Sequence, residues 1–115
     1  MFVTPDGKKV FVVDGHTHLW DAREANRRNR YGITFIEVFW NSHNGLTPEG
    51  QRWPWDRFQY YGVENAAKDL FVDGYVDRAI MMPTYLYEFY NQGFNTVEQC
   101  SALKAYRPDN VILAG

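Results

Sequence analysis

The chain has 115 residues, of which 45% are hydrophobic, 23% charged and 17% aromatic, with a formal charge of −2. That length suits one domain and leaves no room for two large ones, and the slight acidity argues against a general affinity for nucleic acid or anionic membrane. A single cysteine, Cys100, excludes a disulfide within the chain and suits a reducing compartment. With no signal-peptide pattern in "MFVTPDGKK" and no apolar run of bilayer length, the chain reads as a soluble, cytoplasmic protein.

The first predicted element is a short strand at Val10 to Val13, an apolar run without polar alternation, as expected of a strand buried on both faces of a parallel sheet. It stops at Asp14-Gly15. From about residue 21 to 61 the chain makes a long excursion, first polar and basic, then crowded with aromatics. Asn44-Gly45 reads as a turn within it. Thr47-Pro48-Glu49 reads as a helix start, with Thr47 as N-cap and Pro48 at the first helical position.

Val63 to Asp73 carries apolar residues Val63, Ala66, Ala67, Leu70 and Phe71 at helical spacing, and Gly74 follows where a left-handed C-terminal residue is expected. A second strand is predicted at Ala79 to Met82, before Pro83. A second helix is predicted at Thr96 to Tyr106, opened by a capping box of Thr96 with Gln99. A third strand is predicted at Val111 to Ala114. Strands alternating with helices imply a parallel α/β sheet with crossover connections. Three short strands and two helices cannot cover both faces of such a sheet, and a closed (β/α)8 barrel needs about 250 residues.

The candidate chemistry sits just after the first strand, in "DGHTH". Residues two apart on a strand point the same way, so His16 and His18 face one side and can share a metal ion. Ligands collect at the carboxyl ends of the strands in parallel α/β sheets, which is where this pair falls. The bland alternative is two loop histidines, one bonded to backbone and one solvated. A catalytic zinc usually has three protein ligands, and His43 is the only other histidine; it reads better as a surface residue or substrate contact than as a ligand. Asp14 reads as a partner for nearby backbone or for a histidine, and Asp21 as a cap.

Arg23, Arg27, Arg28 and Arg30 form a basic cluster behind the pair. It reads first as a solvated face and otherwise as a carboxylate clamp. The excursion's aromatics, among them Phe35, Phe39, Trp40, Trp53, Trp55, Phe58, Tyr60 and Tyr61, read as packing before pocket. Tyr85, Tyr87 and Tyr90 add aromatics after the second strand, expected to be exposed at the same end, and Cys100 reads as a small buried hydrophobe. Trp20, Arg23 and His43 are taken as the candidate substrate contacts.

The segment "VVDGHTHLWD" resembles the opening of the metal-dependent amidohydrolases, in particular the branch containing aminocarboxymuconate-semialdehyde decarboxylase and related hydrolases and decarboxylases. "FVDGYVDRAIMMPTYL" is similar to the family's next helix end and second strand, and "YRPDNVILAG" to its third strand. The resemblance spans nearly the whole chain but only the amino-terminal third of the family's fold. It implies a single partial domain over residues 1–115, holding strands 1–3 and helices 1–2 of a (β/α)8 TIM-like barrel, with a long insertion at about 21–61.

It further implies a divalent metal ion, most often zinc, with His16 and His18 as the first two ligands. The family's other ligands and its acid/base aspartate come from later strands. The expected activity is hydrolysis of a small carboxylated substrate, with non-oxidative decarboxylation as the alternative; the aromatic, Arg-containing excursion favours an aromatic or diene carboxylic acid. The third possibility is a fragment, inactive alone, that associates with other copies or with the rest of a barrel. An open edge at Val111 to Ala114 motivates it.

Overall fold

In the computed structural model, which describes residues 1–114, the first apolar run is divided between two structures. Its start closes a small antiparallel hairpin, in which β1 (Phe2–Val3) pairs with β2 (Lys9–Val10). The strand that enters the main sheet is β3 (Val13–Thr17), which begins where the predicted strand ends and runs through Asp14-Gly15. The expectation of burial on both faces is also corrected, since Val10, Phe11 and Val13 are 40%, 53% and 52% exposed. The reason is position: β3 is an edge strand with a neighbour on one side only. Its approach is pinned by Asp77, whose carboxylate accepts the Val12 N–H at 2.8 Å and the terminal amine of Met1 at 2.8 Å.

The sheet has the order β3, β6 (Arg78–Met81), β7 (Val111–Leu113), and both pairings are parallel. Asp14 pairs with Ala79 and Thr17 with Met81, so β3 holds one more residue than β6 over that interval and bulges around Gly15-His16. Helix α3 (Val63–Lys68) lies in the β3–β6 crossover and α4 (Val97–Tyr106) in the β6–β7 crossover. Their apolar stripes meet the sheet in one core of Leu19, Ala66, Ala79, Met81, Leu103 and Val111, among others. Burying each of the larger side chains contributes about 1.5–3 kcal/mol. The α4 cap is the predicted one: Thr96 accepts from the Gln99 N–H, and the Gln99 side chain accepts from the Thr96 N–H at 2.8 Å.

The first crossover helix ends differently from the expectation. After Lys68 the chain widens into a π-helical turn, Asp69–Asp73, and Gly74 is extended at φ −87° rather than left-handed. Glycine is required there by close approach instead: a Cβ would lie 2.6 Å from the Asp69 carbonyl oxygen.

The excursion is more regular than its composition suggests. A helix of 17 residues, α1 (Arg30–Leu46), runs through Asn44-Gly45, so no turn occurs there. The cost of a glycine in a helix is about 1 kcal/mol, and Trp40 and His43 on the same helix offset it by packing on Trp53, Trp55 and Phe58. Thr47 is the carboxyl cap of α1 rather than an N-cap, and Pro48 precedes a short 3-10 turn at Glu49–Gln51. After α2 (Trp55–Phe58), β5 (Tyr60–Tyr61) pairs antiparallel with β4 (Trp20–Asp21), so the excursion returns to its own start. A second core forms around Ala22, Ile36, Phe58, Tyr90 and Phe94. Among the described residues, no helix is long and apolar enough to cross a membrane.

Candidate metal centre

His16 lies in the last turn of the pleat of β3, and His18 immediately follows the strand. Their rings sit edge to face, 4.7 Å apart at 71°, and their Nε2 atoms are 2.9 Å apart. The pair stands at the carboxyl end of the parallel sheet. Upstream, the Asp14 carboxylate accepts the His16 N–H at 3.2 Å, bracing the bulge that presents the ring.

The other nitrogen of His18 decides its chemistry. Nδ1 lies 2.7 Å from the carbonyl oxygen of Met82, at the end of β6. A carbonyl only accepts, so the hydrogen is on Nδ1, and Nε2 carries the lone pair. His16 Nε2–H then donates to His18 Nε2 across the 2.9 Å gap.

Two neutral imidazoles are a donor set that suits zinc and other first-row divalent ions. They amount to half a coordination sphere. Among the described residues, no group of three His, Cys, Asp or Glu side chains is placed to hold a metal ion. The pair therefore offers two nitrogen donors to an ion and, among the described residues, no third side chain joins them.

Behind His18 lies Asn95, fully buried. Its Nδ2 donates to the Met82 carbonyl at 2.7 Å and stands 3.2 Å from His18 Nδ1, while its Oδ1 accepts from the Cys100 thiol at 3.3 Å. Burial pushes that thiol's pKa up, which leaves Cys100 protonated and consistent with an inert donor. Nothing in the sequence marks Asn95: it precedes a helix cap and has no spacing relation to the histidines.

In front of His18 is a cavity of about 320 Å³, walled by Trp20, Phe35, Phe39, Phe58 and Phe94 together with Thr84. Of the three candidate substrate contacts, Trp20 alone joins His18 there. Its indole donates to the Phe58 carbonyl at 2.7 Å and stacks on Tyr61 at 4.9 Å. Arg23 faces a different hollow, beside Asp21, Asn26 and Gln92. It forks onto the Asp21 carboxylate at 2.9 and 2.7 Å and lies 3.9 Å over the Tyr60 ring. Asp21 also accepts the Arg23 N–H at 3.2 Å, just ahead of a 3-10 turn at Glu24–Asn26.

His43 is committed on both sides, its Nε2 accepting the Trp53 N–H at 2.8 Å and its Nδ1 lying 3.0 Å from the Thr47 hydroxyl. Arg27 is likewise occupied, donating to the Ala22 carbonyl and to Gln59. Arg30 lies over the Tyr31 ring. Tyr85 and Tyr87 are exposed and stacked on each other, but Tyr90 is buried, against expectation, because its ring packs in the second core and its hydroxyl donates to the Gly32 carbonyl. No family model matches this chain, and no curated protein or solved structure matches it either.

Proposed function

We propose that this chain is the amino-terminal part of a (β/α)8 barrel hydrolase of the amidohydrolase type, using a divalent metal, zinc by preference, held in part by His16 and His18. The observation that carries the reading is the convergence of the two Nε2 atoms at 2.9 Å at the carboxyl end of a parallel sheet, with His18 held as the Nδ1–H form by a backbone carbonyl. The successive β–α units and the open outer edge of β7, where Ile112 and Leu113 are 46% and 44% exposed, favour continuation of the sheet by further strands. The same open edge supports association with another chain as the way this segment acquires the rest of its site.

A divalent ion, when bound, would supply Lewis acidity and lower the pKa of its water to about 7. His16 and His18 would hold it, and the Met82 carbonyl, accepting from His18 Nδ1, fixes that ring. The apolar cavity receives the hydrophobic body of a small aromatic carboxylic acid, its walls of Trp20, Phe35, Phe39 and Phe94 excluding water beside His18. The acidic group of such a substrate would turn to His18 and Thr84, the polar side chains of a lining that holds no lysine or arginine.

The test is zinc binding, measured by competition with a chromophoric chelator, for the wild-type chain and for His16→Ala and His18→Ala. Saturable binding that each substitution abolishes supports the reading. Equal zinc content in wild type and His16→Ala overturns it. Product analysis on a longer polypeptide then separates hydrolysis from non-oxidative decarboxylation, since only the latter releases carbon dioxide.

A further inference from the structure

Asn95 is the one fully buried amide that touches the histidine pair's support, and its two side-chain hydrogen bonds continue through the Met82 carbonyl to His18. The Cys100 thiol donates to Oδ1 at 3.3 Å, Nδ2 donates to the Met82 carbonyl at 2.7 Å, and the same carbonyl accepts His18 Nδ1–H at 2.7 Å. A carbonyl oxygen has two lone pairs, and here both are taken, one by the amide and one by the imidazole. The Asn95 backbone is fixed as well: its N–H donates to Thr84 O at 2.9 Å and its carbonyl accepts the Thr84 N–H at 2.8 Å, a lone antiparallel bridge across the loop that follows β6. Met82 is held from the other side, its N–H donating to Thr17 O at 2.9 Å.

We infer that Asn95 is a positioning residue for the metal centre: by pinning the Met82 carbonyl it fixes the tautomer and ring plane of His18, and with them the direction of the Nε2 lone pair. The inference rests on the reading of His16 and His18 as ligands. Two alternatives are weaker on geometry. If Asn95 donated to His18 Nδ1 instead, Nδ1 would be unprotonated and would face the Met82 carbonyl at 2.7 Å, lone pair against lone pair. If Asn95 served only to cap α4, its side chain would accept a backbone N–H of the helix; that role belongs to Thr96. Groups outside a metal's ligand sphere that orient a ligating histidine typically change metal affinity by roughly 10- to 100-fold when removed.

The experiment compares wild type, Asn95→Leu, Asn95→Ser and Cys100→Ala in the whole chain. The first readout is the ring-nitrogen NMR spectrum of His18 without metal, at a pH where imidazole is neutral. The second is zinc affinity by chelator competition. Wild type is expected to show His18 as a single Nδ1–H tautomer. Asn95→Leu and Asn95→Ser are expected to mix in the Nε2–H form and weaken zinc by roughly 10- to 100-fold. Cys100→Ala removes a donor from the same buried spot but leaves the amide-to-carbonyl bond, so both readouts should stay at wild type.

The inference is overturned if wild-type His18 is already a mixture, which needs no variant to fold. It is also overturned if Cys100→Ala weakens zinc as much as Asn95→Leu, because the effect is then packing. Absence of zinc binding in wild type with an ordered Nδ1–H His18 instead overturns the metal reading and leaves the positioning intact.

Discussion

The phenol of Tyr90 donates to the backbone carbonyl of Gly32 at 2.5 Å, joining the loop after β6 to the first turn of α1. Tyr90 is fully buried, and burial pushes its pKa up to about 12. The contact requires α1 to come close, and Gly32 permits it: a Cβ there would lie 2.9 Å from the Phe89 carbonyl oxygen and 3.2 Å from the Arg27 side chain. The wall of the cavity beside His18 therefore depends on a tyrosine and a glycine that touch no ligand.

Tyr90→Phe is expected to cost about 1 kcal/mol, the net worth of one hydrogen bond, with the aromatic packing kept. Gly32→Ala is expected to cost about 1–3 kcal/mol through overpacking, although alanine is the better helix former by about 1 kcal/mol. Urea denaturation of both variants tests this; a stabilised Gly32→Ala would show that α1 can move away without loss.

His43→Ala is expected to lower stability by about 1–3 kcal/mol, because the Trp53 N–H loses its acceptor and the ring leaves a cluster of Trp40, Trp53 and Phe58. Zinc affinity should be unchanged. A loss of zinc binding with unaltered thermal stability would refute the structural role and return His43 to the site.

Asp77 sets an acid limit. Its carboxyl pKa is held below the usual range, first by the Met1 amine and next by the Val12 N–H. A carboxylate depressed in the folded state contributes stability above its unfolded pKa and loses it as pH falls through the folded value. Wild type should therefore lose stability between about pH 4 and the lower folded value, and Asp77→Asn should be less stable at neutral pH with a flatter profile across that window. Thermal melts from pH 2 to 7 decide it; parallel profiles for the two proteins would remove the linkage.

Thr96→Ala is expected to destabilise the chain by about 1 kcal/mol by opening the α4 cap, with Thr96→Ser restoring most of it. Differential scanning calorimetry measures both.

That cap was legible because its two partners are three residues apart in the chain, and the crossover helices and second and third strands were legible for similar local reasons. The 17-residue α1 was not. Asn44-Gly45 outweighed a helical stripe whose meaning depends on Trp53, Trp55 and Phe58, which lie beyond it in the chain. The first strand was misplaced because an apolar run was read as a buried one, while Asp14-Gly15 was read as its end. In the candidate site, the two histidines were visible as a spacing. Their support was not, since the Met82 carbonyl and Asn95 stand 64 and 77 residues from His18, and a backbone carbonyl has no sequence signature.

The extra residue in β3 governs which way the histidines face. Side chains alternate along a strand, so each added or removed residue exchanges the two faces for everything beyond it. Asp14 pairs with Ala79 and Thr17 with Met81, both core-facing positions of β6; without the bulge, His16 would take the place opposite Met81. The insertion around Gly15 thus acts as a parity bit, sending both imidazoles away from the α3–α4 side. Deleting Gly15 would leave a regular strand with His16 opposite Ile80 and Thr17 still opposite Met81, so the histidines keep their face through the bulge that absorbs the extra residue and not through the length of the strand.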